Sequence, residues 1–386
     1  MNGVTVARTV EEAESLRPVW ERLQGPSLAA DPDYFLTHVR HAQTIVRPHV
    51  VGGEEGGRPA ALIVARIDDT RLAARVGHMA LLRPRVRALT VVSGGVGGPL
   101  AERDPAAVVG ALTRSVEPGE VGVVRLRTLE LGSPLHAAAR AAAPVHRREH
   151  FGRPAVHWRS ELPATKDEFL ARRSKRRRES VRRYARRLEK AYGDRLRVEL
   201  VRTRAGLERL LADSLEVHRK TYQAALHVGL SADGVHRRLA ELAADRGWFR
   251  GYLLYVDDRP VAFWHGNAYR GTFGIGATGF DPAFAQDRPG TYLFMCMVED
   301  LCADDAVRAL DFGIGDAEYK QHFGDESTLE EEVLLYAATP RAVSVGLTRS
   351  ALAGATAAAA TVLERAGRLG KLRRRYRARL EQRQGG

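Results

Sequence analysis

Residues 271–324 read GTFGIGATGFDPAFAQDRPGTYLFMCMVEDLCADDAVRALDFGIGDAEYKQHFG. Their pattern predicts a strand over Thr272–Gly279 and then a loop ending in Arg288-Pro289-Gly290-Thr291. A helix follows, then a second strand ending in Asp311. A glycine turn and a short helix carrying Tyr319, Lys320 and Phe323 complete the stretch. A loop that delivers backbone N–H groups to a helix N-terminus favours an anion and suits a pyrophosphate. The strand ending in a carboxylate and the Tyr319-Lys320 pair put titratable groups beside that loop.

Each feature has a functional and a plain reading. In the loop, Gly290 lets the backbone approach a phosphate, Thr291 caps the helix or donates its hydroxyl, and Arg288 adds charge. The plain alternative is a helix start with a proline turn. In Asp311-Phe312-Gly313-Ile314-Gly315-Asp316 the two glycines permit positive φ, and Asp316 is placed to cap the helix of Tyr319. His218 lies on a helix predicted over Leu207–Tyr222, and an imidazole of ordinary pKa there would suit a general base. A lone histidine on an amphipathic helix is more often structural, and His265 sits inside a predicted strand. No His, Cys or carboxylate spacing suggests a metal site, and there is no G-x-S-x-G elbow.

Leu215-x-x-His218, Gly279-Phe280-Asp281-Pro282, Pro289-Gly290 and Asp311-Phe312-Gly313-x-Gly315-Asp316 stand in this order, followed by Tyr319-Lys320 and Phe323-Gly324. Over about 110 residues this series resembles the GNAT acyltransferase superfamily. Within it the chain is most similar to the two-lobed CelD/BcsL-type branch, related in fold to Fem-type aminoacyl transferases. The resemblance implies an α/β fold of two tandem GNAT-like lobes and acyl-coenzyme A, most simply acetyl-CoA, as donor. The implied acceptor is an amine or hydroxyl of a small molecule or glycan precursor. It also implies Tyr319 as general acid toward the thiolate and His218 or Asp311 as base, with Lys320 at the acceptor or oxyanion. Arg288, Gly290, Thr291 and Gly279 would then hold the cofactor, and Asp316 and His265 would touch the acceptor. The chain departs from the usual Gln/Arg-x-x-Gly-x-Gly/Ala pattern, because Pro289 and Thr291 follow Gln286 at its fixed positions.

The 386 residues, 44% apolar and 7% aromatic, are long for one domain. The expected division is 1–160, 165–340 and a tail at 341–386. Cys296 and Cys302 lie on one predicted helix at a spacing unsuited to a disulfide or metal clip, as in reducing-compartment proteins. The N-terminus lacks a signal-peptide core, and the longest apolar run, Ala351–Leu363, is too short to span a bilayer. The expectation is a cytoplasmic protein. Net charge is +13, yet residues 172–190 hold +9 and residues 349–386 hold +8, so the body is mildly acidic.

Val4–Arg8 reads as a strand, and Thr9-x-x-Glu12 as a capping box for a helix through about Leu23. The same grammar returns at Leu196–Arg202 and Thr203, both copies closing on Arg-Thr. Antiparallel strands are predicted in the first copy at Pro48–Gly52, Pro59–Ile67, Ala88–Val92 and Val121–Leu131. In the second they fall at Trp248–Val256 and Val261–Ala268 around an Asp257-Asp258-Arg259-Pro260 turn. Thr165-x-x-Glu168 opens a long basic helix over 166–190, whose Val181, Tyr184 and Leu188 form an apolar stripe. That helix suits cofactor phosphates, a polyanion or transfer RNA; a solvated helix docked by its stripe is the plain alternative. In the tail, Leu369, Leu372, Tyr376 and Leu380 share one face amid arginines, the pattern of a helix on an anionic membrane surface. A helix docked on the body fits equally. A Fem-type enzyme using charged transfer RNA, and a non-catalytic binding protein on this fold, remain the alternatives.

Overall fold

The computed structural model describes residues 3–76, 79–221 and 234–365. Its strands, in chain order, begin with β1 (Gly3–Ala7), β2 (Ile45–Glu55), β3 (Arg58–Arg71), β4 (Ala74–Val76), β5 (Met79–Leu82), β6 (Arg85–Gly97) and β7 (Val123–Glu130). They continue with β8 (Ala155–Glu161), β9 (Leu196–Val201), β10 (Phe249–Val256), β11 (Arg259–Tyr269), β12 (Thr272–Phe280), β13 (Ala309–Ile314) and β14 (Glu326–Tyr336). Two compact units emerge, Met1–Ala155 with Leu329–Gly386, and Val156–Thr328. The break expected at 160–165 falls at Val156, and the chain rejoins the first unit at Leu329, because β14 pairs with β7.

The first unit orders its strands β1-β2-β3-β6-β7-β14, with β4 and β5 as a separate hairpin. The second orders them β9-β10-β11-β12-β13-β8. Read in these directions the two sheets match pair for pair. Three antiparallel pairings lead to one parallel pairing, β6 with β7 or β12 with β13, and an antiparallel strand follows. The Arg-Thr repeat therefore marks the close of the first strand in each sheet and the start of the helix behind it. The fold is α/β, with two tandem lobes of one topology.

Helices depart from the sequence reading where a cap or a proline intervenes. The Thr9 capping box forms, Thr9 Oγ1 accepting from the Glu12 N–H at 3.1 Å. The helix then stops at Ser15 and a second, Arg17–Leu23, starts with Pro18 in its first turn, where a missing N–H costs nothing. The single basic helix is likewise two, Lys166–Ala171 and Lys175–Tyr192. Ser174 caps the second, and Arg173 between them is buried in an ion pair with Asp325.

The sheet of the second unit is covered on both faces, as the unbroken burial of Phe249–Val256, whose side chains alternate between the faces, requires. On one face the helices Lys175–Tyr192 and Pro289–Cys302 bring Leu188, Phe294, Val298 and Leu301 against Trp264, Phe273, Leu310 and Phe312. On the opposite face the helices Arg204–Arg219 and Gly234–Asp245 bring Leu207, Leu210, Val217 and Ala243 against Phe249, Leu253 and Phe263. In the first unit the alanine-rich helix Pro340–Arg365 docks through Arg349, which donates to both Glu149 oxygens at 3.0 and 3.2 Å. The stripe Leu369, Leu372, Tyr376 and Leu380 lies outside the described residues. Among the described residues no helix is long and apolar enough to cross a membrane.

Candidate active site

The parallel ladder between β12 and β13 holds for three pairs, ending at Gly274 opposite Asp311. Beyond it β12 continues along β11 to Phe280, while β13 continues along β8. The two strands part, and a wedge opens between them. Just past its apex β12 carries a bulge. His265 faces Ala277 and Gly266 faces Ile275, so Gly276 has no partner on β11. A bulged residue leaves the ladder and re-aims its backbone groups.

One side of the wedge is the predicted anion loop. The turn Pro282–Asp287 leads to Arg288, which takes a left-handed conformation (φ 56°, ψ 47°) and stands at the N-terminus of the helix Pro289–Cys302. Thr291 does not cap this helix; Arg288 occupies the capping position and no side chain accepts there. Gly290 has room for little more than a Cβ: the nearest atoms it would meet belong to the Phe280 side chain, at 3.5 to 3.9 Å. Its carbonyl accepts from Trp264 Nε1 at 3.0 Å. The Trp264 ring in turn stands edge-on to Tyr319, with centroids 5.2 Å apart. One buried indole thus links the loop of Gly290 to the half-buried Tyr319. The basic helix is tied to the same loop, since Asp287 accepts from Tyr192 at 2.9 Å and lies 3.3 Å from Arg187.

Around the end of β13 the titratable groups take unexpected roles. Lys320 is no surface lysine: it is buried, and its Nζ donates to the carbonyls of Gly313 (3.1 Å) and Ile314 (2.8 Å). Burial pushes its pKa down, against the attraction of Asp311. Gly313 and Gly315 have φ of 67° and 114°, so the turn needs both glycines, and Lys320 holds it closed. Asp316 does not cap the helix Glu318–Phe323. Ala317 does, without a side-chain bond, and Asp316 accepts from Gln321 Nε2 at 2.7 Å.

Asp311 accepts from His157 Nε2 at 2.6 Å and from the Gly313 N–H at 2.7 Å, with Arg159 Nε 3.4 Å away. Burial raises its pKa, but the bond and charge of His157, the Gly313 N–H and Arg159 outweigh it and hold the carboxyl below its ordinary value. Asp311 is therefore a fixed carboxylate and His157 the ring it orients. Sequence reasoning missed His157, which comes from β8, the strand paired with β13 but more than 150 residues away in the chain.

His218 and His265 lie in the layer opposite the Gly290 helix. His218 is buried on the helix Arg204–Arg219, and burial lowers its pKa. His265 stacks on Phe263 at 5.5 Å, and burial lowers it to about 4. Neither is hydrogen-bonded to Asp311 or Tyr319. Gly279 is explained by packing, because a Cβ there would lie 2.7 Å from the Phe263 ring. Burial pushes the Cys296 thiol up to about 11, which unsuits it as a nucleophile. Among the described residues no group of three His, Cys, Asp or Glu side chains is placed to hold a metal.

The matching place in the first unit is closed. Its parallel ladder ends at Val91 opposite Leu126, and the run Gly94-Gly95-Val96-Gly97-Gly98 leads to a helix at Pro99. A Cβ on Gly97 would lie 2.2 Å from the Leu23 carbonyl, and one on Gly98 2.6 Å from that of Ala60. These glycines make room for the unit's own backbone.

Residues 175–321, within the second unit, match the acetyltransferase (GNAT) domain family. The second unit is a GNAT domain. FemX superposes with a TM-score of 0.57 at 10% identity, over 89% of this chain and 100% of that one. A conserved protein of unknown function from Bacteroides thetaiotaomicron VPI-5482 superposes at 0.54 and 14% identity, over 86% of this chain and 100% of its own. At such identities the likeness is one of fold. No curated protein matches the sequence. The wedge of this GNAT domain carries Gly290 and Tyr319 on one side and the His157–Asp311 pair at its apex.

Proposed function

We propose that the GNAT domain transfers an acyl group, most simply acetyl, from acyl-coenzyme A to an amine or hydroxyl of a small molecule or glycan precursor. One observation carries this reading. The β12–β13 ladder stops beside a carboxylate–imidazole pair, and the wedge beyond it leads to an open helix N-terminus linked to a tyrosine. The pyrophosphate would lie at Gly290 and the N-terminus of Pro289–Cys302, with Arg288 adding charge. The bulge at Gly276 would turn a backbone N–H toward the thioester carbonyl, as an oxyanion requires.

Transfer is direct. His157, donating its Nε2–H to Asp311, keeps Nδ1 as its basic nitrogen and takes the proton of the nucleophile. The nucleophile bonds to the acyl carbon and the carbon–sulfur bond breaks. Tyr319 gives its proton to the departing thiolate. Lys320 serves by holding the Gly313–Asp316 turn rather than by touching the oxyanion.

Calorimetric titration with acetyl-CoA tests the donor, and the same titration of Gly290→Val tests its place. Micromolar binding that the variant loses supports the reading; no binding to the wild type overturns it. A Tyr319→Phe protein with full turnover across pH would remove the tyrosine from the mechanism. The second reading, a charged transfer RNA as donor, is favoured by one feature. Lys175, Arg176, Arg183, Arg186 and Lys190 form no ion pair with the described residues, on a helix tied to the donor loop. Binding through many phosphates would weaken steeply with salt.

A further inference from the structure

A row of residues crosses four strands at the apex of the wedge. Asn267 on β11 is opposite Gly274 on β12, Gly274 is opposite Asp311 on β13, and Asp311 is opposite Arg159 on β8. Leu310, Phe312, Trp264 and Ala268 all pack toward the Gly290 helix, so Asp311, His265 and Asn267 face the other way. Adjacent strands are about 4.8 Å apart, which puts Asn267 and Asp311 roughly 10 Å from each other across the glycine. A Cβ on Gly274 would meet nothing within 4 Å. The row therefore has a gap one small group wide, beside the imidazole–carboxylate pair.

The layer facing this gap holds polar atoms that the fold leaves unanswered. Asn267 Oδ1 and His265 Nε2, two residues apart on the same face of β11, are buried without a hydrogen-bond partner. His265 stacks between Phe249 and Phe263. Buried polar side-chain atoms are nearly always partnered, so two orphans side by side next to the gap point to a ligand that completes them. Both are uncharged hydrogen-bonding groups. The burial that expels a proton from His265 would equally disfavour an ammonium beside it.

Resting on the acyl-transfer reading, we propose that the acceptor enters as an uncharged, hydroxyl-bearing group seated over Gly274, with Asn267 as its positioning and specificity-determining residue. One hydroxyl donates to Asn267 Oδ1. The reacting hydroxyl turns to the His157–Asp311 pair, gives its proton to His157, and forms the new carbon–oxygen bond as the carbon–sulfur bond breaks and Tyr319 protonates the sulfur.

The test is an NMR titration of the full chain with glycerol and with serinol, which replaces one hydroxyl of glycerol by an ammonium. The readouts are the Asn267 side-chain amide and the His265 ring. Glycerol is expected to shift both saturably, and serinol to bind at least about tenfold more weakly, because its ammonium would be desolvated in the same place. Asn267→Ala and Gly274→Ala should each abolish the glycerol shift of the His265 ring while keeping acetyl-CoA affinity; the alanine at 274 extends into open space, so it tests the gap and not the fold. No shift with glycerol in a protein that binds acetyl-CoA, or tighter binding of serinol, overturns the proposal and leaves the acyl-transfer reading intact. Glycerol shifts without acetyl-CoA binding would uphold the pocket and overturn the donor.

Discussion

Replacing Lys320 by Met asks whether the turn after β13 is held by its buried ammonium. Met keeps the length and apolar stem of the side chain and removes both donors. Two charge-assisted bonds, to Gly313 O at 3.1 Å and Ile314 O at 2.8 Å, are lost, each worth about 1.5–3 kcal/mol. Against this stands the relief of a buried charge, which costs several kcal/mol to desolvate in real proteins. The lowered pKa of Lys320 says that burial outweighs the pull of Asp311, so the relief is real. Ile314 is exposed and water can replace part of what its carbonyl loses. The balance is a local loss of about 1–3 kcal/mol, confined to the turn. Hydrogen exchange reads it directly. The Gly315 N–H is bonded to Val156 O at 2.8 Å, and its exchange should quicken by about 5- to 150-fold in the variant. Acetyl-CoA affinity should fall far less, because the Gly290 loop is held separately by Trp264. Unchanged exchange at Gly315 with a raised melting temperature would refute the clamp, and would mean that the ammonium is a burden the fold tolerates for another reason.

Three further outcomes follow from the geometry. Trp264→Phe removes the bond from Nε1 to Gly290 O, worth about 0.5–1.5 kcal/mol, and should weaken acetyl-CoA binding by roughly 2- to 13-fold in calorimetry; equal affinity would show that the indole does not hold the loop. For Asp311 the folded carboxyl lies below its ordinary value, so its stabilisation is complete above the usual carboxylate range near pH 4 and is lost as pH falls through the folded value. The melting-temperature gap between wild type and Asp311→Asn should hold steady at neutral pH and close on acidification; a gap that widens in acid would contradict the pairing with His157. Gly97→Ala drives a Cβ to 2.2 Å from Leu23 O and should destabilise the first unit by about 1–3 kcal/mol in thermal unfolding while leaving acetyl-CoA affinity unchanged. Lost affinity in a fully folded Gly97→Ala protein would place donor contacts in the first unit.

What could be read from the sequence is what acts over a few residues. The Thr9 capping box, the Asp257-Asp258 turn and the two glycines after Asp311 each satisfy a local demand, and each stands where the sequence put it. Breaks were harder, because the stop at Ser15 and the restart after Ser174 depend on a proline and a cap that compete with long apolar or basic periodicity. Burial was harder still. Nothing in Glu318-Tyr319-Lys320 announces that the lysine turns inward, since that follows from a turn whose carbonyls need donors. His157 lay furthest from view. It sits in Ala155–Glu161, with no motif of its own, and meets Asp311 only because β8 adds to the sheet on the far side of β13. The repeat nevertheless contained the clue. In the first sheet the strand after the parallel pair is supplied by a distant segment, β14, so the second sheet must also borrow a strand to flank β13. An alternating polar–apolar run upstream of the repeat is the natural donor, and the polar positions of that run, His157 and Arg159, are the ones that reach the carboxylate. A repeat carried through strand by strand thus locates the partner of Asp311 that no local pattern can reveal.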